Sequence, residues 1–207
     1  MSGVRNGADV LLKTLFLSLG GRAGLMTFGV LLLSVGAWFV WKDVRQRGAL
    51  QHRVFLGMLA ESILYAAILG QVVSILTAWL LSGGSLPMVI QSAVVQLSLG
   101  TQLVVSLGAG IYEELLFRVL LISGLTTLGL YLKWERMIAV GVAVGASALI
   151  FSAFHYVGPY GDPFTMPSFM FRAIAGLVLS GLYVTRGFGI TAWSHALYDV
   201  GLAVLGQ

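Results

Sequence analysis

Cysteine is absent from the 207 residues, which excludes disulfides, thiolate metal sites and a cysteine nucleophile. Charge is nearly as scarce: 10% of residues are Asp, Glu, Lys or Arg, against about a quarter in an ordinary soluble domain. With 58% hydrophobic residues and a mean hydropathy of +0.94, the chain cannot cover a globule with polar side chains. It reads as an integral membrane protein. The apolar runs do not alternate with polar residues, so they are helices and not barrel strands. Also missing are a soluble domain, a low-complexity linker, a long repeat and a small-residue cleavage site of the kind that ends a signal peptide. The net charge of +4 lies in short connectors, which fits membrane topology and gives no footprint for nucleic acid.

What is present is a series of apolar stretches near the ~20 residues that a helix needs to cross a bilayer. About six are expected: Leu25–Trp41, Val54–Leu81, Val95–Leu121, Met137–Tyr156, Ser168–Thr185 and Ile190–Leu205. A shorter stretch, Val10–Leu19, reads as an amphipathic helix lying on the membrane surface. The expected fold is thus all-α, a polytopic helical bundle forming one integral-membrane domain over residues 1–207. Lys42, Arg45, Arg47 and Arg53, then Lys133 and Arg136, then Arg186, mark connectors on the cytoplasmic side. Arg5, Lys13 and Arg22 conflict with that alternation if the first stretch is a true crossing. Gly141 and Gly145 make a small-residue face of the kind that lets helices approach closely in lipid.

Against this background the polar residues within the spans stand out, because each costs roughly 2.5–3.5 kcal/mol on insertion scales. Glu113, Glu114 and Arg118 lie on the third expected span, His155 ends the fourth, and His195 and Asp199 lie on the sixth. Glu114 and Arg118 are four apart with glutamate first, the favourable order for a helical ion pair. Glu113 points about 100° away around an α-helix and is expected to face a cavity. His195 and Asp199 are also four apart, so the carboxylate is expected to accept one ring N–H and fix the tautomer. Such a set suits water activation: Glu113 takes a proton, His155 shares it, and His195 donates to a developing oxyanion.

Other polar residues read as structural. Glu61 is a lone carboxylate, either structural or a gate; Arg172 is expected to snorkel; Gln71, Gln91, Gln96 and Gln102 are expected to make interhelical hydrogen bonds. Ser123 lacks the glycine two residues earlier that a membrane serine protease would show. There is no HExxH zinc helix, and the Tyr-Asp in "LYDV" has its only counterpart, "PYGD", in a loop.

Three segments, "EELLFR" (113–118), "FSAFH" (151–155) and "HALYD" (195–199), resemble the motifs EExxxR, FxxxH and HxxxN/D of the CAAX prenyl endopeptidase and bacteriocin-processing (CPBP, or Abi) family. The resemblance covers about Val95 to Leu205, leaving residues 1–94 as helices of unassigned role. It implies an intramembrane glutamic-type endopeptidase acting on a membrane-associated peptide or protein substrate; no cofactor is expected, because the Glu114–Arg118 pair puts a fixed cation beside the would-be metal ligands. By that resemblance Glu113 and His155 activate water, Glu114 and Arg118 support them, and His195 with Asp199 forms the oxyanion side. Asp199 departs from the commoner Asn of the third motif, whose amide can donate where a carboxylate cannot. A chain this short and without targeting segments favours a bacterial member in the inner membrane, for which prenylated substrates are not expected. Two alternatives stay open: a zinc enzyme with Glu113, His155 and His195 as ligands, and a non-enzymatic immunity or scaffold protein.

Overall fold

The computed structural model describes residues 7–48, 51–82, 98–157 and 161–205, and every element in them is helical. In chain order these are α1 (Gly7–Arg47), α2 (His52–Ser82), α3 (Leu99–Glu114), a π-helical segment (Leu115–Ile122), α4 (Ser123–Tyr131), α5 (Arg136–Phe154), α6 (Met166–Arg186) and α7 (Phe188–Leu205). Large apolar side chains such as Val104, Ile75, Met137 and Leu202 point outward, so the surface is apolar as lipid requires. The chain is an all-α membrane bundle.

Among the described residues, four helices are long and apolar enough to cross a membrane: Met26–Gln46, His52–Leu81, Arg136–Phe154 and Met166–Arg186. The other two expected spans differ for a physical reason. The third is broken into α3, the π segment and α4, and it carries Glu113, Glu114 and Arg118. The last, α7, is a short helix with His195 and Asp199 inside it. Polar function interrupts the apolar run in both. Near the N-terminus, Gly20 and Gly21 leave helical geometry (Gly21 at φ 56°), dividing α1 into two helices. The first folds back on the second: the Phe16 and Phe28 rings stack at 4.7 Å, and Gly24 sits against the Phe16 carbonyl.

Caps and small residues set the rest. Ser98 and Thr165 cap α3 and α6 through side-chain oxygens that accept from Thr101 N and Ser168 N. Gly187, at φ 85°, ends α6 and lets α7 begin at the next residue. α2 packs against α6 and α7, where Leu69, Val73, Ile174 and Leu179 form a buried cluster capped by Tyr198. α5 packs on α6 at Gly176, where an added Cβ would come within 3.0 Å of Ala148 Cα. Two buried serines of α5 cross-link neighbours: Ser147 Oγ donates to Phe117 O and Ser152 Oγ to Phe169 O, each at 2.7 Å. The first of these serves a carbonyl of the π segment, the usual way that irregular backbone is satisfied at membrane depth.

The glycine face expected to pack is not the one that does. Gly141 and Gly145 have no neighbouring atoms within 4 Å of an added Cβ, whereas Gly70, Gly110, Gly129 and Gly176 are in tight contact. Spacing marks a small-residue stripe, but only the tertiary arrangement decides which stripe meets another helix. Among the glutamines, Gln71 is exposed on α2, while Gln91 and Gln96 lie outside the described residues.

Candidate active site

The site begins with a close approach. α3 and α7 touch at Gly110, where an added Cβ would lie 2.5 Å from Ala196 Cβ and 2.6 Å from Ala192 O. One turn further along α3 come Glu113 and Glu114, and Ala192 and Ala196 bracket His195. Two carboxylates are thereby brought against one imidazole.

Glu114 and Arg118 are fully buried, and Glu113 and His195 nearly so. Oε1 of Glu114 is 2.7 Å from Nδ1 of His195, whose N–H donates to it. Oε2 of Glu114 is 3.1 Å from Nε of Arg118, the ion pair expected from the four-residue spacing. The terminal nitrogens of Arg118 meet no hydrogen-bond acceptor among the described residues. Its guanidinium lies over the Phe151 ring instead, 4.6 Å from the centroid, a contact that gains strength away from water. Arg118 sits in the π segment, a widened turn of a kind found often at functional sites.

Glu113, expected to face a cavity, is buried, with its Oε2 3.9 Å from Nε2 of the same His195 ring. One expectation about the carboxylates needs correction. Asp199 does not orient that ring by a hydrogen bond, since its Oδ2 stands 3.6 Å from Nε2, beyond hydrogen-bond reach. Glu114 holds the orienting position at Nδ1. A pairing within one helix was expected, but the contact between α3 and α7 supplies a shorter one.

His155 follows the last residue of α5. Its Nδ1–H donates to Phe151 O at 2.8 Å, which leaves Nε2 as an acceptor in the neutral ring. Its ring meets Phe151 edge-on at 4.9 Å, and Phe151 in turn meets His195 at 6.2 Å. The three motifs from α3, α5 and α7 thus converge on one buried cluster, with Phe151 at its centre. Nothing in the residue spacing assigned Phe151 that place, although it opens the second motif. Gly110 was missed for the same reason, because a glycine's packing partner is not written in its own helix.

Beside His155 the chain turns back on itself. Asp162 N donates to His155 O at 2.8 Å, and the Asp162 side chain pairs with Arg172 of α6. Arg172 also donates to Ser168 Oγ at 3.0 Å and lies over the Tyr156 ring, so its head group is held at the start of α6. Ser123 is exposed, with Tyr183 OH 3.4 Å from its hydroxyl and no histidine against it. Among the described residues, no group of three His, Asp or Glu side chains is arranged to hold a metal ion.

The fold is a helical membrane bundle with two carboxylates and an imidazole buried among its helices. Residues 94–201 match the family described as type II CAAX prenyl endopeptidase, Rce1-like; that is more than half the chain, and the protein belongs to this family. It is a CAAX-type intramembrane endopeptidase in the general sense, acting on membrane-associated peptide. No curated protein and no solved structure matches the chain.

Proposed function

We propose that the protein hydrolyses peptide bonds with a water activated by Glu113 and His155, without a metal, and that His195 stabilises the oxyanion. The observation that carries this reading is the convergence of two carboxylates of α3 on one histidine of α7, within 3.9 Å and nearly buried, with Arg118 paired to one of the carboxylates. Glu114 is the carboxylate held between Arg118 and His195, and this reading assigns the base to its neighbour Glu113. His155, with Nδ1–H engaged by Phe151 O, offers Nε2 to the same water proton.

In the first step the water oxygen bonds to the scissile carbonyl carbon and its proton passes to Glu113 or His155. The carbonyl π electrons move to oxygen, and Nε2–H of His195 donates to that oxyanion. A ring that donates from both nitrogens is the imidazolium, and Glu113, Glu114 and Asp199 supply its counter-charge. The tetrahedral centre then collapses, the C–N bond breaks, and the proton held by Glu113 or His155 goes to the leaving amine.

The test compares N- and C-terminal peptides of membrane proteins from cells carrying wild-type protein with those from cells carrying Glu113→Gln. A shortened membrane product present only with the wild type is expected. Identical product sets would reject the peptidase reading and leave an immunity or scaffold role, which needs no base at position 113.

A further inference from the structure

α2 lies outside the region matched to the family, yet it carries a carboxylate deep in its apolar run. Glu61 is about two and a half turns into α2, and its side chain meets Arg186 of α6 with Oε2 2.5 Å from Nη2. Arg186 is the last residue of α6, where a cation complements the helix dipole. The next residue is Gly187 in its left-handed conformation, and α7 begins immediately after it.

The neighbours of Glu61 on α2 all touch that same turn and the helix it starts. Ser62 Oγ, fully buried, lies 3.5 Å from Ile190 O. Met58 Cε packs against Gly189, where an added Cβ would be 3.1 Å away. Further along, Gly70 accepts the Tyr198 ring so closely that an added Cβ would be 2.7 Å from it. One face of α2 therefore lies along α7 from its first turn to the residue before Asp199. The apolar contacts fix how far apart α2 and α7 are. Among the described residues the charged contact on this face is the pair at the turn, and it is directional.

We propose that Glu61 and Arg186 form a latch that holds the start of α7 in register against α2, and so positions His195 for the reaction; this rests on the peptidase reading above. Glu61 is a positioning residue, acting through Arg186 and the Gly187 turn and not on the substrate. His195 is two turns past that turn, and its Nδ1 must reach Glu114 on α3. A shift of α7 along α2 lengthens that contact directly. Interhelical hydrogen bonds add to packing in membrane bundles, and this pair supplies one at the turn between α6 and α7.

The experiment uses the full chain in liposomes with Glu61→Gln, Arg186→Gln and the exchange Glu61→Arg with Arg186→Glu. Because the chain has no cysteine, Leu128→Cys and Leu202→Cys, both exposed, take a pair of spin labels cleanly. Each single variant is expected to lower kcat about 10-fold on an acyl-anchored fluorogenic peptide library with KM nearly unchanged, and to broaden the α4–α7 distance distribution. The exchange is expected to return kcat to within about 3-fold and to sharpen the distribution again. Single variants with wild-type kcat and an unchanged distribution would overturn the latch, as would an exchange no better than either single. If the wild type cleaves nothing, the peptidase reading fails for that library, and the distance arm alone decides the latch.

Discussion

Glu114 and His195 meet at 2.7 Å across the packing of α3 on α7, and this contact joins the first and third motifs. The other oxygen of the same carboxylate is taken by Arg118. Glu114 is therefore fixed on both sides, and Glu113 is the carboxylate assigned to the chemistry. Gln at 113 is nearly isosteric and removes only the basicity. Cleavage by Glu113→Gln should fall at least ~100-fold, the scale of general-base loss, with folded yield unchanged. Normal cleavage by this variant would rule out the proposed base.

Arg118 supports the site without touching the reacting atoms. Removing it leaves Glu114 fully buried without its cation, which costs several kcal/mol. Arg118→Ala should lower folded yield in detergent together with activity. Arg118→Lys should recover only part of both, because an ammonium cannot reproduce the planar stacking on Phe151. Wild-type yield and activity in Arg118→Ala would exclude this role.

Gly110 is the spacer that allows the Glu114–His195 contact. A methyl group there collides with backbone as well as with the Ala196 side chain, so the helices must separate. Overpacking of this kind costs about 1–3 kcal/mol, and a displacement near 1 Å at the reacting groups costs about 100-fold in rate. Gly110→Ala should lose activity by far more than its drop in thermal stability explains. Thermal melts and cleavage rates measured on one preparation decide this, and parallel small losses in both would remove Gly110 from the site.

The membrane class, the helical bundle and the residues of the polar cluster were legible in the sequence, because buried charge in an apolar span is rare and helical spacing is local. The Glu114–Arg118 pair needed nothing more than i, i+4 geometry. Partners across helices were not legible: Glu114 with His195, Glu61 with Arg186 and Arg172 with Asp162 are separated by 81, 125 and 10 residues. The π segment was equally hidden. Its carbonyl at Phe117 is satisfied by Ser147 of another helix, so its cause is tertiary. Gly141 and Gly145 show the converse, a strong local pattern that meets no neighbour.

Metal independence is predicted from the fixed cation. Arg118 is bound to the carboxylate that adjoins Glu113, so a dication held by Glu113 would sit near a guanidinium it repels. Purified protein should keep its activity through prolonged exposure to a strong zinc chelator. Loss on chelation and recovery on adding zinc would turn Glu113, His155 and His195 into ligands and favour the metalloprotease alternative.

Asp199 and Glu114 divide the duties toward His195 unequally. Asp199, at 3.6 Å and partly exposed, contributes charge near Nε2 but no aligned hydrogen bond. Its replacement by Asn keeps the polar contact and adds a donor, so Asp199→Asn should stay within ~10-fold of wild type, about 1.4 kcal/mol of barrier. Asp199→Ala removes charge without freeing the ring from Glu114, and should fall in the same range. Glu114→Gln keeps an acceptor for Nδ1 but removes the charge that faces both Arg118 and His195. It should cost ~100-fold or more, comparable to losing an oxyanion donor. Rates for the three variants, on protein of equal folded yield, give the order. If Asp199→Ala is as damaging as Glu114→Gln, the orienting contact belongs to Asp199 after all, and the 2.7 Å contact between α3 and α7 is a packing feature of the resting protein.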